Sequence, residues 1–391
     1  MIEGRLTNDP GKILKYGMIG GGPGSFIGGV HRAAIALDGC GLLVAGCFSK
    51  SQDKNKLTGQ QLRLDETRVY ETYQAMADGE AGREDPIDFV VVTTPNTGHY
   101  PICKAFLEKG IHVMCEKPLT VTVEQALELK KLAAANSCLF AVAYAYTGHV
   151  MVREARNIIK RGDIGEVLVV MGEYPQDWLI DHLETDQKQA AWRTDPKQAG
   201  SSNCTGDIGS HIENMVSYMT GLRIQQVCAS LDVFGEGRTL DTNAEILLRF
   251  TNGARGTYWC SQVAIGNDNA LRVRIYGTKG AIEFDQEKSN YLKVTFKGQA
   301  PQFYTRGGGY LTREAASYAR TPTGHPEGYH EAYANLYTDF TRAIWQKIEG
   351  QEVDEAAAGY PTVEMGIDGV RFIERCVASS RQGTVWVDME A

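Results

Sequence analysis

Three side chains in this 391-residue sequence suit the transfer of a hydride and a proton. Lys117 follows an apolar stretch and precedes a proline, and Asp207 and His211 lie four residues apart further along the chain. Oxidation of a secondary alcohol needs a base for the hydroxyl proton and a cation beside the developing alkoxide. Lys117, Asp207 and His211 are therefore the candidate catalytic residues.

Each of these residues also has a purely structural interpretation. Lys117 could be an exposed residue at the end of a strand, and Asp207 could cap a helix that carries an unrelated core histidine. Against this, residues four apart share one helix face, and histidine is a natural proton carrier near neutral pH. The catalytic interpretation depends on the three residues occurring together.

A glycine-rich turn precedes these residues. Gly20 and Gly22 follow the apolar run 16–19, and a third glycine, Gly28, lies in the helical stretch that comes next. In a dinucleotide turn the first glycine permits the sharp bend, the second lets the backbone approach a pyrophosphate, and the helix N-terminus donates N–H groups. Residues 23–27 make this turn longer than usual. The pattern predicts an NAD(P) site, and a plain strand–helix turn is the alternative.

The end of the second apolar run bears on the choice of nucleotide. An NAD site usually has an acidic residue there, whereas residues 43–48 are followed by Ser49, Lys50 and Ser51, with Lys54 one turn later. Ser49, Lys50 and Lys54 could hold the 2′-phosphate of NADP, which slightly favours that nucleotide. The two lysines could equally be solvated residues at a helix start, so both nucleotides stay open.

Apolar periodicity divides the chain into two regions. Up to residue 145, apolar runs alternate with helical patterns, which predicts parallel strands covered on both faces, a doubly wound sheet. After residue 165, strand-like runs follow one another closely, with hairpin turns at Asn252-Gly253 and Lys279-Gly280. The prediction is an α/β protein with a doubly wound domain over 11–145. An α+β domain with a large, mostly antiparallel open sheet follows over 146–391.

Composition excludes several classes of partner. The net charge is −8 and no dense Lys/Arg run occurs, which argues against nucleic acid and anionic membrane. The nine cysteines are scattered, with no metal-ligand spacing, as in a reduced cytoplasmic protein that binds no metal. No apolar run is long enough to span a membrane and no secretory signal is visible. Met1–Arg5 could be native or the remnant of a cleavage tag.

Several polar and aromatic residues are candidates for a sugar-binding pocket. They lie in turns after predicted strands or in the loops around Asp207, where aromatic faces and polar groups could meet a polyol. An ordinary interdomain loop with buried tryptophan is the alternative for each. The candidates are His149, Tyr174, Trp192, Arg193 and His325.

The chain resembles the Gfo/Idh/MocA oxidoreductases from residue 16 to about residue 380. The resemblance is carried by Thr94-Pro95-Asn96, Glu116-Lys117-Pro118 and Gly206-Asp207-Ile208-Gly209-Ser210-His211. It implies a Rossmann nucleotide domain in which Thr94, Pro95, Asn96 and Glu116 line the nucleotide. It also implies that Lys117 positions and polarises the substrate hydroxyl, His211 takes its proton and Asp207 holds a neighbouring hydroxyl. His31 falls where members often carry a histidine, and the long glycine turn departs from the pattern.

This resemblance implies an NAD(P)-dependent dehydrogenase that oxidises a ring secondary alcohol of a cyclic polyol, sugar or glycoside. The second domain's open sheet commonly mediates dimers or tetramers in the family. Two other functions stay open. One is a lyase or glycosidase that keeps its nucleotide bound and oxidises C3 transiently; the other is a non-enzymatic regulator that senses sugar or nucleotide.

Overall fold

The fold is given by a computed structural model that describes residues 13–390. Met1–Arg5, the first two residues of the predicted first domain (11 and 12) and residue 391 lie outside the described residues. The described chain forms two compact units.

Fourteen strands are present in residues 13–390, in one sheet of five and one of nine. Their bounds are β1 Leu14–Gly20, β2 Gly41–Cys47, β3 Phe89–Thr93, β4 His112–Cys115, β5 Phe140–Val142, β6 Val167–Pro175, β7 Ile224–Asp232, β8 Asn243–Phe250, β9 Arg255–Ser261, β10 Arg272–Gly277, β11 Gly280–Asp285, β12 Tyr291–Phe296, β13 Gln302–Thr305 and β14 Val387–Asp388.

Twelve α-helices occur in the same residues. Their bounds are α1 Phe26–Leu37, α2 Gln52–Gln61, α3 Tyr73–Ala81, α4 His99–Leu107, α5 Val123–Ala135, α6 Val150–Lys160, α7 Lys188–Arg193, α8 Pro196–Ala199, α9 Ser210–Thr220, α10 Arg313–Ala316, α11 Tyr329–Ile348 and α12 Val363–Arg381. Among the described residues, none of these helices combines the length and apolarity that a membrane span requires.

The first unit contains the five-stranded sheet, in the order β2-β1-β3-β4-β5 with every pair parallel. Its central strand β3 is buried along its whole length, as expected for an apolar run covered on both faces. This confirms the predicted doubly wound sheet. Parallel strands end at one edge, and this edge carries the turns that follow β1, β3 and β4.

The second unit contains the nine-stranded sheet, in the order β13-β12-β11-β10-β6-β9-β8-β7-β14. Only β6 and β9 pair in parallel, and the remaining described pairs are antiparallel. The Asn252-Gly253 and Lys279-Gly280 turns join antiparallel neighbours. The predicted mostly antiparallel sheet is therefore confirmed.

The division of the chain differs from the prediction at one place. The sequence assigns all of 146–391 to the second domain, but residues 330–367 belong to the first unit. Phe340 of α11 packs edge-on against Phe89 of β3 at 5.7 Å between ring centroids, and the Val142 N–H donates to the Pro361 carbonyl at 2.8 Å. An amphipathic pattern predicts a helix but does not identify the core against which it packs.

Candidate active site

The glycine turn after β1 is too closely packed to accept side chains in place of its glycines. Gly20 has a φ of +84°, which side-chain-bearing residues rarely adopt. A Cβ atom added to Gly22 would lie 2.8 Å from the Phe48 carbonyl oxygen, and one added to Gly28 would lie 2.3 Å from the Cα of Gly21. The turn and helix α1 therefore meet backbone to backbone, as a pyrophosphate cradle requires.

Helix α1 begins within the extra residues 23–27 of this turn. Ser25 is the N-cap of α1, and its hydroxyl accepts a hydrogen bond of 3.3 Å from the Gly28 N–H. The first turn of α1 contains no acidic residue. The positive end of the helix dipole therefore stays available to an anion, and the residues present fit a dinucleotide diphosphate.

The end of β2 is organised by a residue that the sequence interpretation missed. Asn55 is fully buried, and its Oδ1 accepts from the Phe48 N–H at 2.8 Å and the Ser49 N–H at 2.7 Å. Lys50 and Lys54 are exposed, and so is Asp53 in the first turn of α2. The strand end thus carries both the predicted lysines and a carboxylate, so it has groups suited to either nucleotide.

The turns after β3 and β4 are held together at the same sheet edge. The Glu116 N–H donates to the Val92 carbonyl at 3.0 Å, and the buried His99 ring lies 2.9 Å from both the Thr94 and the Pro118 carbonyl oxygens. Burial lowers the pKa of His99. His99 thereby joins the turn of Thr94, Pro95 and Asn96 to the turn that carries Lys117, which precedes a cis proline. No motif in the sequence indicates this bridge.

Glu116 is a buried carboxylate directly before Lys117. Its Oε1 lies 2.8 Å from His31 Nε2 and accepts the Tyr333 hydroxyl at 2.9 Å. Burial by itself would raise the pKa of Glu116, but the hydrogen bond and charge of His31, the charge of Lys117 and the Tyr333 hydroxyl together lower it. Glu116 is therefore held as a carboxylate. Its predicted contact with the nucleotide stays a prediction.

Asp207 lies within a helical turn and does not cap a helix. The π-helical turn Thr205–Gly209 leads into α9, and Asp207 Oδ2 accepts from Arg193 Nε and Gln262 Nε2, both at 3.1 Å. The capping interpretation is therefore wrong, because the carboxylate is turned toward a guanidinium and an amide. Asp207 has a fixed orientation and a positive charge beside it.

His211, on the first turn of α9, stands beside a hydrogen-bonded group of polar side chains. Its ring centroid is 4.7 Å from that of Tyr146 and 6.1 Å from that of Tyr174. The two tyrosine hydroxyls lie 2.6 Å apart, and the Tyr174 hydroxyl donates to Asn269 Oδ1 at 2.6 Å. Burial and the neighbouring Tyr146 raise the pKa of Tyr174, which keeps its hydroxyl neutral.

The remaining pocket candidates have different positions. The Arg193 guanidinium stacks on the Trp192 ring at 4.4 Å, next to Asp207. The buried His149 ring stacks on that of Tyr146 at 6.1 Å, so it is one ring away from His211. His325 lies exposed in a loop that is held by the buried Arg306–Glu327 ion pair. The structure therefore groups four of the five candidates around Asp207 and His211, but it gives His325 no contact with them. Within residues 13–390, no cluster of three His, Cys, Asp or Glu side chains could hold a metal ion.

Sequence reasoning overlooked the groups that line this region from distant strands. Asn269 and Gln262 follow apolar strands in polar loops that resemble any other loop in sequence. The useful signal would have been the clustering of amide and hydroxyl side chains at strand ends, which becomes visible only when the strand order is known.

His149 should make the protein sensitive to acid. Burial lowers its pKa to about 4, and its Nε2 has no hydrogen-bond partner. Because the unfolded chain binds the proton more readily, the free energy of unfolding should be highest above about pH 6.5. It should fall by about 3 kcal/mol as the pH drops to about 4. Urea unfolding of the wild type and His149→Gln at pH 7 and pH 4 measures this, and an equal acid loss in both would contradict the prediction.

Comparisons with known proteins agree with this architecture. Residues 14–144 match the family model of an oxidoreductase with an NAD-binding Rossmann fold, and residues 152–283 match the model of the GFO/IDH/MocA C-terminal domain. The uncharacterized oxidoreductase YfiI of Bacillus subtilis is 37% identical over 100% of both chains. Levoglucosan dehydrogenase of Pseudarthrobacter phenanthrenivorans is 29% identical over 96% of this chain and 98% of that protein.

A solved structure extends the similarity to the whole fold. An inositol dehydrogenase homolog from Azotobacter vinelandii, complexed with NAD⁺, is 36% identical and superposes with a TM-score of 0.95. The match covers 98% of this chain and 99% of that chain. The chain therefore belongs to the Gfo/Idh/MocA family and is an NAD(P)-dependent oxidoreductase.

Proposed function

We propose that this protein is a dehydrogenase that oxidises a ring secondary alcohol of a cyclic polyol, sugar or glycoside. One observation carries the proposal. His211, a possible proton acceptor, stands beside Asp207, whose carboxylate is fixed by Arg193, in surroundings rich in hydroxyl and amide groups. A proton acceptor, a fixed carboxylate and polar hydrogen-bonding groups are what oxidation of a polyhydroxylated ring requires.

The nucleotide enters this reaction through the first unit. The Gly20–Gly22 turn and the N-terminus of α1 would hold its diphosphate, and Thr94, Pro95 and Asn96 would line it. When bound, NAD(P)⁺ supplies the acceptor for the hydride that leaves the carbinol carbon. Side chains of the protein donate and accept the protons.

Each catalytic residue has a separate role in the reaction. The Lys117 ammonium donates a hydrogen bond to the reacting hydroxyl and stabilises its alkoxide character. His211 accepts the hydroxyl proton as general base. Asp207 accepts a hydrogen bond from a neighbouring hydroxyl of the ring, and the ion pair with Arg193 keeps that carboxylate oriented.

Two features support a polyol or sugar as the substrate class. A hydrogen-bonded group of polar side chains lies beside His211 and matches a hydroxyl-rich ligand. The group consists of Tyr146, Tyr174, Gln176 and Asn269. The solved relatives include an inositol dehydrogenase homolog complexed with NADH and myo-inositol, and a levoglucosan dehydrogenase in complex with NADH and levoglucosan. Cyclic polyols, sugars and anhydrosugars are therefore the first substrates to test.

The test is reduction of NAD⁺ and NADP⁺ followed at 340 nm at mildly alkaline pH. The panel contains inositols, free sugars and glycosides, and a His211→Asn variant is the control. Growth of absorbance with one substrate class, absent in the variant, is the expected result. If a glycoside is consumed while the absorbance at 340 nm stays constant, the proposal is overturned in favour of a lyase or glycosidase with bound nucleotide. Nucleotide binding without any turnover would favour a regulator.

We further propose that the protein is a cytoplasmic homodimer or homotetramer. All nine cysteines are free thiols, as in a reducing compartment. Val169, Met171 and Leu247 are exposed on strands β6 and β8 of the nine-stranded sheet, and a second copy of the chain could cover them. Sedimentation velocity should give a mass of two or four chains, and a monomer at micromolar concentration would contradict the proposal.

A further inference from the structure

The Glu116 side chain uses both of its oxygens to fix its surroundings. Its Oε2 accepts from the backbone N–H of Lys117 at 3.1 Å, and its Oε1 lies 2.8 Å from His31 Nε2 and 2.9 Å from the Tyr333 hydroxyl. Glu116 is only 7% exposed. A carboxylate buried to this extent is unfavourable unless it is fully paired, and loss of one partner leaves charge uncompensated.

The partners of Glu116 come from distant parts of the chain. His31 lies on α1, the helix that follows the glycine turn, and Tyr333 lies on α11, 217 residues after Glu116. Tyr333 is 2% exposed. The family models end at residue 144 and residue 283, so neither includes Tyr333.

A second tyrosine on the same helix has a different contact. The Tyr337 hydroxyl lies 2.5 Å from His31 Nδ1, on the side of the ring away from Glu116. The Tyr337 hydroxyl therefore contacts the histidine, whereas the Tyr333 hydroxyl contacts the carboxylate and the Tyr333 ring packs edge-on against His31 at 4.9 Å between centroids. Both tyrosines are buried on one helix.

We propose that Glu116 and Tyr333 are positioning residues for Lys117. The Glu116 carboxylate accepts a hydrogen bond from the peptide N–H of Lys117. The direction in which the lysine side chain projects from the end of β4 therefore depends on the position of that carboxylate. Tyr333 in turn fixes Oε1 of that carboxylate. This inference rests on the proposed role of Lys117 in the reaction. Displacement of a catalytic group by a fraction of an ångström is enough to lower the rate strongly.

Tyr333→Phe and Glu116→Gln test this in the full-length protein. Both should lower kcat about tenfold or more, while the calorimetric Kd of Tyr333→Phe for NADH changes less than about twofold. The matched control is Thr341→Val, which removes a buried hydroxyl from the same helix that donates to the Tyr337 carbonyl at 2.7 Å. It should lower the unfolding temperature as Tyr333→Phe does and leave kcat within about twofold.

A readout independent of turnover separates this inference from the proposed function. Labelling of Lys117 by pyridoxal phosphate and borohydride, followed by peptide mass spectrometry, reports how the ammonium is held. The labelling rate should rise about fivefold in Tyr333→Phe and Glu116→Gln, the factor for one lost hydrogen bond, and stay unchanged in Thr341→Val.

The possible outcomes are distinct. Equal labelling in all variants, or a kcat of Tyr333→Phe equal to that of Thr341→Val in an enzyme that needs Lys117, overturns the positioning role. Altered labelling in a protein whose Lys117→Met variant keeps full turnover supports the positioning role and overturns the proposed function instead.

Discussion

Lys117→Met is expected to lower kcat/KM about 100- to 1,000-fold while nucleotide affinity stays within about twofold of the wild type. Methionine keeps most of the length of the side chain and removes the ammonium. If the ammonium stabilises the developing alkoxide, its contribution exists mainly in the transition state. Initial rates at 340 nm and calorimetric titration with NADH measure the two quantities separately.

His211→Asn should lower kcat by about 10²- to 10⁴-fold, the range usual for loss of a general base. If the two groups act on one hydroxyl, as proposed, the Lys117→Met/His211→Asn double variant should be little worse than the poorer single variant. Additive losses would mean that the two side chains serve separate steps.

Lys109→Met is the matched control for the lysine. Lys109 lies two residues after the end of α4, and its ammonium is paired with Asp78 on the surface. Its replacement should leave kcat unchanged, since exposed ion pairs contribute little. Full turnover in Lys117→Met would remove the lysine from the mechanism.

The sequence was sufficient for the elements that repeat a simple pattern. The apolar residues 89–92 predict a strand buried on both faces, and α6 and α11 have strong helical periodicity. Strand β13 and helix α3 have no clear signal in the sequence. The first is a short edge strand and the second has little apolar periodicity, so burial does not mark either of them clearly.

Only those parts of the candidate site that lie in short sequence motifs could be predicted from the sequence. The glycine turn and the Glu116-Lys117-Pro118 segment are local, and the structure gives them the expected positions after β1 and β4. Tyr333 reaches Glu116 across 217 residues, and Asn269 reaches Tyr174 across 95. Contacts at such separations depend on strand order and helix packing, which a single sequence does not encode in any short pattern.

Gly28→Ala is expected to weaken nucleotide binding about 100-fold or more. The new Cβ would lie 2.3 Å from the Cα of Gly21 and 3.2 Å from its carbonyl carbon and oxygen. These are backbone atoms, so α1 and the turn must separate by about an ångström or more to restore ordinary contact distances. Separation moves the N–H groups of α1 away from the diphosphate, and loss of two charge-assisted hydrogen bonds accounts for a factor of this size.

The neighbouring glycine gives the matched control. A Cβ at Gly29 meets no atom within 4 Å, so Gly29→Ala places the same methyl group on the same helix without a clash. Because alanine favours the helix over glycine by about 1 kcal/mol, this variant should unfold at the same or a higher temperature and bind NADH and NADPH normally. Calorimetric titration and thermal unfolding of both variants decide the question. Unchanged nucleotide binding by a folded Gly28→Ala protein would mean that the close approach of α1 to Gly21 does not form the diphosphate site.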